Sequence, residues 1–313
     1  MEPFSVSAIC MSLVFCTIMA FRAIQKQSLA VDGAVIGTIC GICIISSTLY
    51  RGLIFFYFYQ IGSWCTKCNM HIKSQRDGTV SKNSQRNFMQ VFCVSIIVTV
   101  LSVYYGIMFG VDQPINFKSH PQSTYIMCAI IAHHATGLAD TMASELGILV
   151  NSKTDTSNNN NNSILTRTVL ITNLRKNVPP GTNGGITMIG CIWSCVGGMI
   201  IGILTVITDY LATNNSKDVT NMVVSQYAFP VILYATIIGC IGSCVDSLLG
   251  ATCQATYYDP KMQKVYHANS TNRPPNAIHL VGYNLLTNEQ VNLLSTAITC
   301  ILGACYIGPL IIP

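Results

Sequence analysis

Long apolar runs alternate with short polar connections along the whole chain. Phe88 to Phe109 carries no charged residue over 22 positions, and Gly185 to Ile207 carries none over 23. A helix rises about 1.5 Å per residue and needs roughly 20 apolar residues to cross ~30 Å of hydrocarbon, so each run can span a bilayer. Val219–Val245 and Val291–Ile312 read the same way, and Phe4–Phe21 makes a further span. Tyr125–Ala139 is shorter and runs directly into an acidic motif. Gly33–Trp64 is too long for one crossing and is interrupted by Arg51, so it predicts two spans joined by a tight turn. The pattern predicts an all-α, polytopic membrane helix bundle of about eight transmembrane helices, forming a single integral-membrane domain over residues 1–313.

Composition agrees. Half of the residues are hydrophobic and 9% are charged, where a soluble domain is about one quarter charged. Glu2 precedes the first span while Arg22 and Lys26 follow it, and no small-x-small cleavage site is present. That span therefore reads as a retained helix and not a signal peptide.

Basic residues set the orientation. The loops at 22–32, 65–87, 148–184 and 250–290 hold 14 of the 17 Lys and Arg residues: Arg22, Lys26, Lys67, Lys73, Arg76, Lys82, Arg86, Lys153, Arg167, Arg175, Lys176, Lys261, Lys264 and Arg273. The alternate loops hold Arg51, Lys118 and Lys217. The positive-inside rule then turns the first set toward the cytosol and both termini away from it. These charges are scattered over loops without interleaved aromatics, so nucleic-acid binding is excluded. The composition fixes neither the organelle, for which an endomembrane suits, nor the oligomeric state.

The remaining features are mostly structural. Small residues recur every four positions in Gly33-Gly37-Gly41, Gly190-Ser194-Gly198-Gly202 and Ala235-Gly239-Ser243-Ser247, which predicts close helix contact. Most of the 15 cysteines sit inside spans, where they act as small packing residues. Cys65 and Cys68 form a C-x-x-C without a second pair, short of the four ligands a structural zinc needs. His133-His134, deep in the fifth span, predict interhelical hydrogen bonds. Residues 151–168 contain Asn158–Asn162 and read as a disordered, Asn-rich cytosolic insertion. Loop 250–290, with Pro260, Pro274, Pro275 and Tyr257-Tyr258-Asp259, predicts a cap over the cytosolic surface. Asn214-Asn215-Ser216 is the one sequon expected on the far side.

The carboxylates carry the chemistry. Only 12 residues are Asp or Glu, yet Asp140, Glu145, Asp246 and Glu289 lie at span ends on the cytosolic side. An ionised group at a hydrocarbon edge is expensive and is usually kept for a function. Residues four apart share a helix face, which groups Asp140 with Ser144 and Asn288 with Asn292. With Ser247 and Glu289 these form a polar shell of hard oxygen ligands suited to Mg²⁺ bound beside a phosphorylated substrate. Asp140, Glu145 and Asp246 are the candidate metal ligands and catalytic carboxylates. Gly181-Thr182-Asn183-Gly184-Gly185 opens the sixth span and predicts backbone N–H groups turned toward an anion at a helix N-terminus. Lys176, Arg175 and Arg86 could supply positive charge to a phosphate chain.

Five ordered motifs also carry a resemblance: Ser84-Gln85-Arg86-Asn87-Phe88-Met89-Gln90-Val91, Asp140-Thr141-Met142-Ala143-Ser144-Glu145-Leu146-Gly147, Pro180-Gly181-Thr182-Asn183-Gly184-Gly185-Ile186-Thr187, Asp246-Ser247-Leu248-Leu249-Gly250-Ala251 and Asn288-Glu289-Gln290-Val291-Asn292. Together, from about Lys26 onward, they resemble the transmembrane protein 19 family, which includes plant phytyl-phosphate kinase. The acidic and glycine motifs are similar to those of CTP-using polyprenol kinases. The family commonly has Gly at the position of Ala139 and Asn at that of Val94. The resemblance implies a kinase that uses CTP or another NTP, with Mg²⁺, to phosphorylate a membrane lipid or isoprenyl phosphate. A transporter or flippase of a phosphorylated or cationic solute is the alternative from the residues alone, and a non-catalytic membrane scaffold is the third.

Overall fold

The computed structural model describes residues 2–76, 85–110, 113–147, 167–213, 220–268, 270 and 272–313. The asparagine run, Lys82, Lys153, Lys217 and the sequon at Asn214 lie outside these residues. Of the insertion expected at 151–168, Arg167 and Thr168 are described, and Thr168 is buried.

The helices are α1 (Val6–Gln25), α2 (Val31–Arg76), α3 (Phe88–Phe109), α4 (Pro121–Leu146), α5 (Met188–Thr213), α6 (Thr220–Cys253) and α7 (Asn288–Leu302). The last continues through a π-helical turn, Gly303–Ile307, into α8 (Gly308–Ile311). Two starts are specified locally by reciprocal capping boxes, Asn87 with Gln90 and Thr287 with Gln290. Each box satisfies donors that the first turn leaves free.

α2 reverses on itself. Leu49 has φ 46° and ψ −114°. Glycine at position 52 lets the returning arm touch the outgoing one, since a Cβ there would lie 2.7 Å from Ile45 Cα. Arg86 meets both arms: Gly33 packs on its carbonyl, and its guanidinium donates to Ser63 Oγ at 3.2 Å. A straight helix would hold Gly33 and Ser63 about 45 Å apart. The tight turn expected near Arg51 is therefore present, with arms 31–48 and 50–76. Among the described residues six helices, α2 counted once, are long and apolar enough to cross a membrane. The second arm and the more polar α4 bring the bundle to eight.

α4 is the central post, with Cys128, His133, His134, Leu138, Ala139 and Glu145 among its buried residues. The small-residue stripes of α5 and α6 face each other: a Cβ on Gly239 would lie 3.0 Å from Gly198 Cα, and one on Gly202 2.7 Å from Ile232 Cα. Ala139 packs into this seam against Gly197 and Gly239, so the glycines opposite accept its methyl. Among the described residues, neither ring nitrogen of His133, nor Nδ1 of His134, has the hydrogen-bond partner expected of the pair. The rings instead pack edge-on at 5.4 Å, with His134 against Phe55 and Phe58.

The two ends of the bundle differ. At one end Lys67 Nζ donates to Lys26 O at 2.9 Å and the basic loops gather. At the other, Arg51 forms a buried ion pair with Asp209 at 2.5 Å and donates to Tyr105 Oη and Gln113 O. Phe117 N–H donates to Pro313 O at that same end.

Two small antiparallel sheets at the basic end depart from a purely helical reading. β1 (Val169–Leu170), β2 (Asn173–Asn177) and β3 (Gly185–Ile186) are ordered β2-β1-β3. β4 (Thr256–Asp259), β5 (Lys264–His267) and β6 (Ile278–Val281) are ordered β5-β4-β6 and form the cap expected of loop 250–290. Gly185 and Ile186 belong to β3, so α5 starts later than the apolar run suggests. Thr187 Oγ1 accepts from Gly190 N–H at 2.9 Å at its first turn.

Candidate functional site

A cavity of about 590 Å³ opens at the basic end. Arg86, Asp140, Ser144, Glu145, Gly181, Thr182, Asn183, Gly184, Gly185, Asp246, Ser247, Asn288, Glu289 and Asn292 all line it. Segments more than 200 positions apart in sequence thus meet in one place. Lys176 is the exception: it lies on exposed β2 and its Nζ donates to Leu280 O at 3.3 Å, away from the cavity. Its expected role in phosphate binding is corrected accordingly.

Helical periodicity divides the acidic motif of α4 between two faces. Asp140 turns toward α6, where Ser243 Oγ donates to its Oδ1 at 3.4 Å. Thr141 and Glu145 turn toward α2: Gly62 lies beside the Thr141 methyl, and Glu145 interacts electrostatically with Arg86. Asp246, three residues beyond Ser243 on α6, accepts from Ser295 Oγ of α7 at 2.9 Å. Each aspartate is therefore aimed by one serine from a neighbouring helix.

Arg86 stands between the polar and apolar parts of the cavity. Its Nη1 and Nη2 donate to Ser63 and Thr66, each at 3.2 Å. Burial pushes the guanidinium below its ordinary value, and nearby Tyr59 and Glu145 pull it back up. It remains a fixed cation with further donors for an anion.

The glycine loop is built differently from the expected anion cradle. Its N–H groups are largely used within the protein: Thr182 donates to Pro179 O, Asn183 to Thr256 Oγ1, and Gly185 to Thr182 O. Gly184, with φ +72°, lets the loop press on α6, where any Cβ would lie 2.6 Å from Ser247 O. The loop is a wall of the cavity braced on α6 and β4, and it does not cap α5.

The three expected metal ligands do not form one set. Among the described residues no three His, Cys, Asp or Glu side chains are placed to share a metal ion, and Glu145 faces Arg86. Asp140 and Asp246 remain, on facing helices. Mg²⁺ is commonly held by one or two carboxylates together with substrate phosphates, a mode these two oxygen donors fit.

Several lining groups carried no sequence signal of their own. Ser243 was readable only as a packing residue, while His267, whose Nδ1 lies 3.2 Å from Asn183 Nδ2, comes from the cap. The largest unread part is apolar: Phe15, Met19, Gly37, Gly41, Phe55 and Tyr59 extend the cavity between α1 and the arms of α2.

The model of the integral membrane protein family DUF92 matches residues 14–300. Protein PGR of Arabidopsis thaliana is 28% identical over 293 residues, covering 93% of both chains. The uncharacterized membrane protein MJ0933 of Methanocaldococcus jannaschii is 22% identical over 293 residues, covering 93% of this chain and 91% of its own. No solved structure matches significantly.

Proposed function

The chain belongs to the DUF92 family of integral membrane proteins, and from that premise we propose that it is a kinase of an isoprenoid or other lipid phosphate. It works at the cytosolic membrane edge and takes its phosphoryl group from CTP or another nucleoside triphosphate. The observation that carries this reading is one continuous cavity. Its polar end holds Asp140, Asp246 and Arg86, and its other end is an apolar groove between membrane helices. An anionic amphiphile is the ligand that such a cavity complements.

Arg86 binds the acceptor's phosphate, its guanidinium held by Ser63 and Thr66. An oxygen of that phosphate attacks the γ-phosphorus of the nucleotide, and the bond to the β–γ bridging oxygen breaks. The products are a lipid diphosphate and a nucleoside diphosphate. The attacking group is already anionic, so positioning and charge neutralisation do most of the work and no strong base is required. Asp140 and Asp246 would hold Mg²⁺ against the nucleotide's phosphates, where it would offset their negative charge. Ser243 and Ser295 keep the two carboxylates oriented. Asn288, Glu289 and Asn292 supply further polar contacts to the nucleotide.

The test is transfer from labelled CTP or ATP to prenyl monophosphates by the purified protein in detergent, beside Asp140→Asn and Asp246→Asn. Transfer that requires both aspartates supports the kinase. Absent transfer, with substrate-dependent flux in liposomes, replaces it with a transporter.

A further inference from the structure

The apolar half of the cavity has graded tiers. Nearest the polar end lie Ala23, Ala34 and Tyr59; midway lie Met19, Gly37 and Val94; deepest lie Cys16, Gly41 and Phe55. The deep tier is a contact point between helices. A Cβ on Gly41 would sit 2.9 Å from Cys16 Sγ and 3.9 Å from Phe55 Cε1. Just beyond it the Phe15 and Phe56 rings meet edge-on at 5.0 Å. From Ala34 to Gly41 the rise along the outgoing arm of α2 is about 10 Å.

We infer that this groove measures the acceptor, and that the Cys16–Gly41–Phe55 tier stops a prenyl tail after about two isoprene units. The inference rests on the lipid-phosphate reading above and adds to it a length limit and the residues that set it. An isoprene unit contributes four skeletal bonds of about 1.5 Å, or roughly 5 Å when extended, so about two units fill the groove as far as that tier. Arg86 lies at the groove's polar mouth, where it fixes the phosphate and thus the point from which length is counted. Two positions should change the measure in opposite directions. A Cβ on Gly37 would meet only Val91 Cγ1, at 3.5 Å, so a larger side chain there fits its neighbours and fills the middle tier. Cys16→Ala removes the sulfur from the floor.

The experiment reads binding and needs no turnover. Detergent-solubilised full-length protein is titrated with prenyl monophosphates of one, two and three isoprene units, with bound ligand counted by native mass spectrometry. For the wild type, affinity rises about tenfold or more from one unit to two, because five further carbons are buried, and by no more than about threefold from two to three. Gly37→Leu moves the plateau to one unit, and Cys16→Ala extends the gain to three. Arg86→Gln weakens all lengths by a similar factor. Melting temperatures establish that each variant is folded, and Cys16→Ala alone decides the matter should Gly37→Leu fail to fold. Binding whose length dependence is absent in the wild type, or unmoved by the folded variants, overturns the measuring groove and leaves the kinase standing. Failure of folded wild-type protein to bind any prenyl monophosphate overturns the acceptor class itself.

Discussion

Ser295 of α7 donates its hydroxyl hydrogen to Asp246 of α6 at 2.9 Å. The contact joins the last two membrane helices at the rim of the cavity and fixes one of the two carboxylates assigned to the nucleotide in the proposed reaction. Asp246→Asn keeps the shape and removes the charge. Phosphoryl transfer should fall about 10²- to 10³-fold, as it does when a single group stabilising the transition state is lost. Ser295→Ala leaves the charge but frees its rotamer, and about a tenfold loss in kcat is expected. Initial rates with saturating nucleotide separate the two.

Arg86 should not tolerate lysine. Its two terminal nitrogens reach Ser63 and Thr66 simultaneously, a fork that an ammonium group cannot reproduce. Arg86→Lys should weaken prenyl monophosphate binding about tenfold while leaving the melting temperature within a few degrees. Equilibrium titration at two salt concentrations checks this.

Breaking the Arg51–Asp209 pair leaves a buried charge without its ion-pair partner. Arg51→Ala or Asp209→Ala should each cost about 3–5 kcal/mol of unfolding free energy, and the apolar pair Arg51→Met with Asp209→Leu should recover most of it. Denaturant unfolding in a fixed detergent measures all three. Recovery by the double variant would assign the pair to helix registry and not to ligand binding.

The two left-handed glycines of the cavity wall should behave differently. Gly181, at φ +91°, leaves open space where an added methyl would sit, whereas at Gly184 that methyl meets Ser247 O and Ala251. Gly181→Ala carries only the conformational penalty, about 1–2 kcal/mol. Gly184→Ala adds a backbone collision and should be at least twice as destabilising, read from thermal melts of the two variants.

The legible part of this protein was whatever a single helix specifies by itself. Apolar length predicted the spans, the reversal before Arg51 and the gathering of Asp140, Asp246 and Asn288 at one end, because crossing hydrocarbon fixes which segments share a surface. Four-residue stripes likewise predicted the α5–α6 seam. What escaped depends on distant partners. The donors of the glycine loop looked free, but Asn183 N–H is taken by Thr256, 73 residues away. Glu145 looked like a third metal ligand, but among the described residues no three acidic, His or Cys side chains are placed to share an ion. Strands of two to five residues carry too little pattern to be seen, and the groove residues Phe15, Met19 and Phe55 look like any side chains facing lipid.

Arg51 also has a history within each molecule. Its partner Asp209 follows 158 positions later, which at ordinary elongation rates is a delay of roughly 8 to 30 s. During that interval a guanidinium sits near the bilayer while α3, α4 and α5 are made. The closing of the pair therefore marks the arrival of α5, with α6 and α7 still to follow. Quality-control machinery that recognises exposed intramembrane charge would have a built-in signal distinguishing chains that have reached α5 from those stalled before it.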